Sequence, residues 1–480
     1  MREQAMREQG FLLKGTEVFE GDAVEVRSPW DQSVVGTIRQ ASRERAVEAV
    51  AGLDKAFATT RVMPAYERQR ILGEVAGRIA AEKERLARLI VAEAGKPVRT
   101  ARGEVDRAAF TFRIAAEEAT RQGGEVLPLD LLPGAEGRWG MVRRFPAGPV
   151  FAITPFNFPL NLVAHKLAPA VAAGCPVLLK PAPQTPFSSM ELARFLLDAG
   201  WPQEALAVLP LANEDAEWLL EHEDRLKLLS FTGSARVGWA LKAKAAKKRV
   251  LLELGGNAAL IVCAEWEDLR GTAQKAVTAA MSYAGQSCIS VQRVYVGREA
   301  YDDFVHYAVE HLQSLCVGDP MDEATDVGPV IRPADAARIS EWIAEAREGG
   351  ATVLAGGNCN GSLVEPTLLT GTQSPMRVLD EEVFAPLMVV EPYDTFPEAI
   401  AAVNSSRYGL QAGLFSCDAK EIFAAYSQLE VGGVIVGDTP TWRLDPMPYG
   451  GIKDSGLGRE GLRYAIEEMT ESKLLVVKLD

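Results

Sequence analysis

Five short stretches of the chain carry side chains that chemistry can use. Cys288, in Gly285-Gln286-Ser287-Cys288-Ile289-Ser290, offers a thiol that, once ionised, adds to a carbonyl carbon. Glu253, in Leu252-Glu253-Leu254-Gly255-Gly256, offers a carboxylate of the type that draws a proton from water. Asn157 lies in Thr154-Pro155-Phe156-Asn157-Phe158-Pro159, where two prolines stiffen the loop and leave an amide positioned to donate to a developing oxyanion. Lys180 ends the apolar run Val177-Leu178-Leu179 just before Pro181, a natural place to meet a ribose or phosphate. Ser230-Phe231-Thr232-Gly233-Ser234, with Gly238 beyond it, reads as a strand, a glycine turn and a helix start whose N–H groups hold an anion.

Each stretch also has a plainer reading. A single cysteine in apolar surroundings is more often packing than nucleophile. Asn157 could bond local backbone in a turn, Glu253 could cap the turn after it, and Lys180 could simply be solvated. The glycine turn lacks the G-x-G-x-x-G fingerprint and could be an ordinary junction capped by Ser234. Taken as a set, however, they make one mechanism. A Cys288 thiolate, activated near a helix N-terminus, adds to an aldehyde while Asn157 holds the oxyanion. Hydride leaves to a nicotinamide, and Glu253 activates the water that hydrolyses the thioester.

Such residues need rigid elements behind them. Residues 42–122 run in charged and alanine-rich stretches with apolar positions near helical spacing, which predicts a helical layer. Residues 123–137 are turn-rich, and residues 139–144 alternate apolar and polar like an exposed strand, so a projecting hairpin is expected. Apolar runs at 150–153, 177–179, 226–231 and 250–252 alternate with helical stretches, the rhythm of βαβ units on a parallel sheet. A second set, at 291–296, 388–390 and 434–436, predicts another α/β unit after Gly255-Gly256.

Composition narrows the class. A chain of 480 residues is too long for one core; 48% hydrophobic and 24% charged residues match a globular protein. The net charge of −14, with no basic cluster beyond residues 242–249, argues against a nucleic-acid partner. The six cysteines are scattered, with no C-x-x-C pair and no secretory signal, so neither a disulfide framework nor a metal site is expected and a cytoplasmic location fits. Residues 145–164 carry no charge, but Pro146, Pro149, Pro155 and Pro159 would break a helix repeatedly, so no membrane span is expected.

In order along the chain, these motifs resemble the NAD(P)-dependent aldehyde dehydrogenase superfamily. The resemblance runs from Ser28-Pro29 to the carboxy-terminal strand and is closest in look to members acting on lactaldehyde, glyceraldehyde 3-phosphate or phosphonoacetaldehyde. It implies Asn157 as the oxyanion asparagine, Glu253 as general base and Cys288 as nucleophile. It implies cofactor contacts from Thr154, Lys180, Gly233, Ser234, Gly238, Leu254, Glu382 and Phe384, and a late structural signature in Pro448-Tyr449-Gly450-Gly451 with Ser455-Gly456. It also implies a Rossmann-like cofactor domain (1–124 and 144–254), an α/β catalytic domain (255–446) and a small β oligomerisation arm (125–143 and 460–480). Through that arm a homodimer or homotetramer is expected.

Three departures matter. Pro183 stands where NAD-preferring members carry a ribose-binding glutamate, so NADP is expected to be accepted alongside NAD. Ala385 replaces the glycine before Pro386, a small change. Phe156 stands where many relatives carry tryptophan; with Ser287 and Ile289 it predicts a pocket for a small aldehyde. Arg443 could hold an anionic substrate group or instead pair with Asp445 or a neighbour. Two rival readings are a coenzyme-A-acylating enzyme, against which Glu253 speaks, and a catalytically silent relative, against which the full set of site residues speaks.

Overall fold

Two largely parallel sheets, their central strands buried on both faces, form the body of the protein in a computed structural model that describes residues 7–479. Strands of such sheets read as unbroken apolar runs, and Val150–Ile153, Val177–Lys180 and Ala258–Val262 are buried at every position.

The first sheet has eight strands. Val150–Ile153 lies between Val177–Lys180 and Leu228–Thr232, with Leu206–Val208 and Arg249–Glu253 outside them, all parallel. The register sets Ile153 beside Lys180 and Phe231, and Thr232 beside Glu253, so the candidate motifs leave the sheet at one level. Phe11–Leu13 and Thr16–Val18 extend one edge antiparallel, and Gly456–Leu457 extends the other. The helices Arg43–Thr60, Ala65–Ala81, Lys83–Ala94 and Val98–Ala119 make up the expected helical layer.

The second sheet has seven strands, in the order Thr352–Ala355, Thr367–Thr370, Leu387–Tyr393, Val291–Gly297, Ala258–Val262, Gln411–Phe415, Gly433–Val436. Its own apolar core, built from residues such as Leu260, Val294, Phe304 and Val389, is separate from that of the first sheet. A third sheet stands apart. Arg138–Pro146 pairs antiparallel with Gly124–Pro128 on one side and with Thr470–Lys478 on the other.

Two details differ from the sequence reading. The segment from residue 460 does not all belong to the third sheet: the helix Leu462–Glu468 buries Leu462 and Ile466 in the first core, and the strand begins only at Thr470. The amino-terminal strands were also not anticipated, because three-residue runs such as Phe11–Leu13 are too short for a periodicity to register. Among the described residues no helix is long and apolar enough to cross a membrane.

Candidate active site

The strand Val150–Ile153 delivers the loop that carries Asn157, and Pro159 ends that loop just before the helix Asn161–Ala173. Asn157 is buried, and its Nδ2 donates to the backbone carbonyl of Gln286 at 3.0 Å. Phe156 meets Phe384 edge to face, ring centroids 5.9 Å apart.

Cys288 follows a tight turn, Ser282–Gly285, in which Tyr283, Ala284 and Gly285 all take left-handed backbone conformations (φ 50°, 51° and 67°). Two of these are non-glycine residues, a strain that recurs at functional sites. Cys288 does not itself stand at a helix start: it lies in irregular chain between this turn and the strand Val291–Gly297. Its Sγ is instead 3.2 Å from the Tyr449 hydroxyl. Burial pushes the thiol up to about 11, against the pull of that hydroxyl. The backbone behind it is closely seated, since a Cβ on Gly256 would fall 2.1 Å from the Cys288 carbonyl oxygen.

Glu253 ends its strand with a buried carboxyl. Burial, together with the nearby Glu460 carboxylate, raises it well above the ordinary carboxylate range. Glu460 goes the other way: burial opposes its ionisation, but His165, Lys166 and Arg443 pull it down. Lys166 Nζ lies 3.3 Å from one Glu460 oxygen and Arg443 2.8 Å from the other. Two neighbouring carboxyls are thus pushed apart by their environments, the arrangement that suits one to carry a proton and the other to stay charged.

A cavity of about 370 Å³ joins these groups. Asn157, Glu253 and Cys288 line it, as do Gly233, Ser234, Leu254, Glu382 and Phe384, and also Phe156, Ser287, Ile289 and Arg443. Thr154, Lys180 and Gly238 lie outside it. Gly238 sits beneath Leu254, whose side chain fills the space a Cβ would take, at 2.3 Å. Glu382 is held against the glycine pair, accepting from the Gly256 N–H at 2.9 Å, and burial raises its carboxyl to about 7.

The strand ends fit a nicotinamide dinucleotide. Lys180 is buried, its ammonium depressed by burial, and it has no carboxylate partner among the described residues. The hydroxyls of Thr154 and Thr232 are buried without hydrogen-bond partners. Unsatisfied donors at the carboxyl ends of parallel strands suit the hydroxyls and phosphates of such a ligand.

Arg443 is not a free anchor. It pairs with Glu460 rather than Asp445, and its guanidinium stacks 3.6 Å from the Tyr449 ring centroid. Asp445 is engaged instead by His165, Thr111 and Arg107. Arg107 is the less committed cation. Its side chain is 38% exposed, its one ion pair is long at 3.4 Å, and it lines both the 370 Å³ cavity and an adjoining one of about 820 Å³. Sequence reading missed Arg107 and Glu460, met His165 only within the stretch Asn161-Leu162-Val163-Ala164-His165-Lys166 that resembles family members, and gave Tyr449 only a structural part. These groups come from distant stretches; only the buried, all-apolar setting of His165-Lys166 carried any signal.

Residues 18–475 match the model of the aldehyde dehydrogenase family, and the chain belongs to that family. It is an NAD(P)-dependent oxidoreductase that oxidises a small aldehyde. It is 43% identical over 475 residues to a 3-sulfolactaldehyde dehydrogenase of Priestia aryabhattai, with 99% of each chain covered. Among solved structures it is similar to aldehyde dehydrogenase 21 of Physcomitrella patens in complex with the reaction product succinate, at TM-score 0.97 and 40% identity over 99% of both chains. It is also similar to glyceraldehyde-3-phosphate dehydrogenase GapN of Methanocaldococcus jannaschii complexed with NADP, at TM-score 0.92 and 36% identity over 96% of this chain and all of that one.

Proposed function

We propose that the protein oxidises a short aldehyde bearing an anionic tail to the corresponding acid, with NADP accepted. The observation that carries this reading is that one cavity holds Cys288, Asn157 and Glu253 and is lined as well by a partly exposed arginine, Arg107.

Cys288 adds to the aldehyde carbon, its proton leaving to solvent while the Tyr449 hydroxyl lies beside the sulfur, and the Asn157 amide donates to the oxyanion so formed. Lys180, Thr154, Gly233, Ser234, Leu254, Glu382 and Phe384 would hold a nicotinamide dinucleotide here, and that group would supply the hydride acceptor. A thioester on Cys288 remains. Glu253 takes a proton from water, which attacks the thioester carbon and releases the acid and the Cys288 thiolate; the proton on Glu253 then returns to solvent or to the sulfur. A deeply buried general base at this position favours hydrolysis over transfer to coenzyme A.

The anionic tail is read from Arg107 together with the chemistry of similar proteins, which are named for a sulfonated aldehyde, a dicarboxylic product and a phosphorylated aldehyde. NADP acceptance rests on Pro183, which brings no carboxylate to repel a 2′-phosphate. We further propose that the eight-stranded and seven-stranded sheets are the cores of cofactor and catalytic domains. The third sheet is an arm joining subunits, since Leu474, Leu475 and Val476 are exposed together on its last strand. The six cysteines are unpaired, which suits a reducing compartment.

Steady-state kinetics test the substrate class. Succinate semialdehyde and sulfoacetaldehyde should be turned over with higher kcat/KM than butanal, and Arg107→Leu should raise KM for the anionic pair by about tenfold or more, the loss typical of one charge-assisted contact. Equal efficiency for butanal, unchanged by the substitution, would overturn the anionic reading.

A further inference from the structure

One buried cation takes no part in the chemistry described so far. Lys96 follows the helix Lys83–Ala94, and its side chain is wholly buried. It forms an ion pair with Glu104, two turns along the helix Val98–Ala119. Burial drives the Lys96 ammonium down to about 8 even beside that carboxylate. A buried pair of this kind costs more in desolvation than a pair of apolar side chains would, so its retention calls for a reason other than stability.

Its surroundings supply one. The ammonium lies 3.7 Å from the ring centroid of Phe158 and 4.3 Å from that of Tyr283, and the two rings meet edge to face at 6.1 Å. Phe158 is the residue after Asn157. Tyr283 opens the left-handed turn that leads to Gln286 and Cys288. Glu104 then takes hold of the Asn157 loop from its other end, accepting from the N–H groups of Leu160 at 2.9 Å and Asn161 at 3.1 Å. The Tyr283 hydroxyl donates to the carbonyl of Ala94, so the turn is tied back to the chain beside Lys96. One ion pair therefore grips both loops, through rings on one side and backbone amides on the other.

We infer that the Lys96–Glu104 pair is a positioning device that sets the spacing between the Asn157 amide and the Cys288 thiol. An apolar pair of the same volume would fill the space but would not fix direction: the ammonium attracts two aromatic faces at once, and the carboxylate orients two specific N–H groups. Misplacement of either loop by about an ångström is enough to cost about a hundredfold in rate. Neither residue lines the cavity that holds Cys288, Asn157 and Glu253, so their effect is expected on the speed of hydride transfer and not on the binding of NADP. The inference rests on the reading of Asn157 and Cys288 as the reacting pair.

The experiment is single-turnover hydride transfer from succinate semialdehyde, followed by nicotinamide absorbance, in the doubly neutral variant K96M/E104Q. Removing both charges together leaves no unpaired charge behind. NADP affinity is measured alongside by fluorescence titration. The expected result is NADP binding within about threefold of wild type and hydride transfer slower by about a hundredfold, at full amplitude. A merely structural role would lower the amplitude, the fraction of competent sites, while leaving the rate of those sites unchanged, and that result overturns the inference. If the double variant does not bind NADP, Phe158→Leu decides: it keeps the ion pair, removes one ring, and should slow hydride transfer by about tenfold, whereas an unchanged rate refutes the device. Failure of the underlying site reading is distinct, because Cys288→Ala would then retain turnover.

Discussion

The side-chain amide of Asn157 donates one hydrogen to the backbone carbonyl of Gln286, two residues before Cys288, across 3.0 Å. An amide nitrogen carries two hydrogens, so this bond fixes the plane of the group and leaves the second hydrogen for an oxyanion. Asn157→Ala removes both functions and should lower kcat by about 10²–10³, the cost of losing one oxyanion donor. Asn157→Asp, which accepts but cannot donate, should do no better. Both are checked by steady-state kinetics, with NADP titration confirming an intact cofactor site.

Glu253→Gln should stop the reaction at the thioester. One equivalent of reduced nicotinamide should form rapidly and turnover should then stall, with an acyl adduct on Cys288 visible by intact mass. In the wild type, the raised carboxyl must lose its proton before it can act as base, so deacylation should accelerate as pH rises through that raised value. A variant that turns over at the wild-type rate would remove Glu253 from the mechanism.

Gly256→Ala is a small change with a large expected effect. The new methyl would fall 2.1 Å from the Cys288 carbonyl oxygen, far inside contact distance, and the nucleophile's backbone must move. Activity should fall by about a hundredfold or more, as for other displacements of a reacting group. The thermal midpoint and kcat, measured together, separate displacement from unfolding.

Pro183→Glu would return a carboxylate to the end of the strand that carries Lys180. The ratio of kcat/KM for NADP to that for NAD should fall by about tenfold or more, because the 2′-phosphate then meets a like charge. An unchanged ratio would show that other residues set the preference.

Glu382 makes stability depend on pH. Its folded-state carboxyl is raised to about 7 by burial, while an unfolded one stays near the ordinary 4.5. Between those values the folded chain keeps a proton that the unfolded chain gives up. The associated stabilisation is complete at low pH and is lost as pH rises to about 7. Glu382→Gln has no such proton to lose. Relative to wild type, its thermal midpoint should therefore improve between pH 5 and pH 7.5; a constant difference would contradict the assignment.

Much of this organisation was legible in the chain. Buried parallel strands leave continuous apolar runs, and the runs ending at Ile153, Lys180, Thr232 and Glu253 mark the sheet edge where the site lies. Asn157, Glu253 and Cys288 each stand in a local motif. Cys288 does not stand at a helix start, because the turn before it is left-handed at Tyr283 and Ala284, residue types that give no hint of such a backbone. Arg107 and Glu460 were not legible at all. Both sit among many similar charges on amphipathic stretches, and only the packing of residues more than three hundred positions apart separates Arg107 from its solvated neighbours. The pairing of Arg443 with Glu460 instead of Asp445 escaped for the same reason: proximity in sequence favoured the wrong carboxylate.

Tyr449, Gly456 and Glu460 all come from the last tenth of the chain, yet the first touches the Cys288 thiol, the second pairs with Glu253 at the end of its strand, and the third is the carboxylate whose charge acts on Glu253. As the polypeptide leaves the ribosome, Cys288 is made long before these partners. The nascent protein can assemble much of both sheets and still have no finished reaction centre. A chain stalled or cut before residue 449 is therefore expected to be an inert product rather than a half-working enzyme.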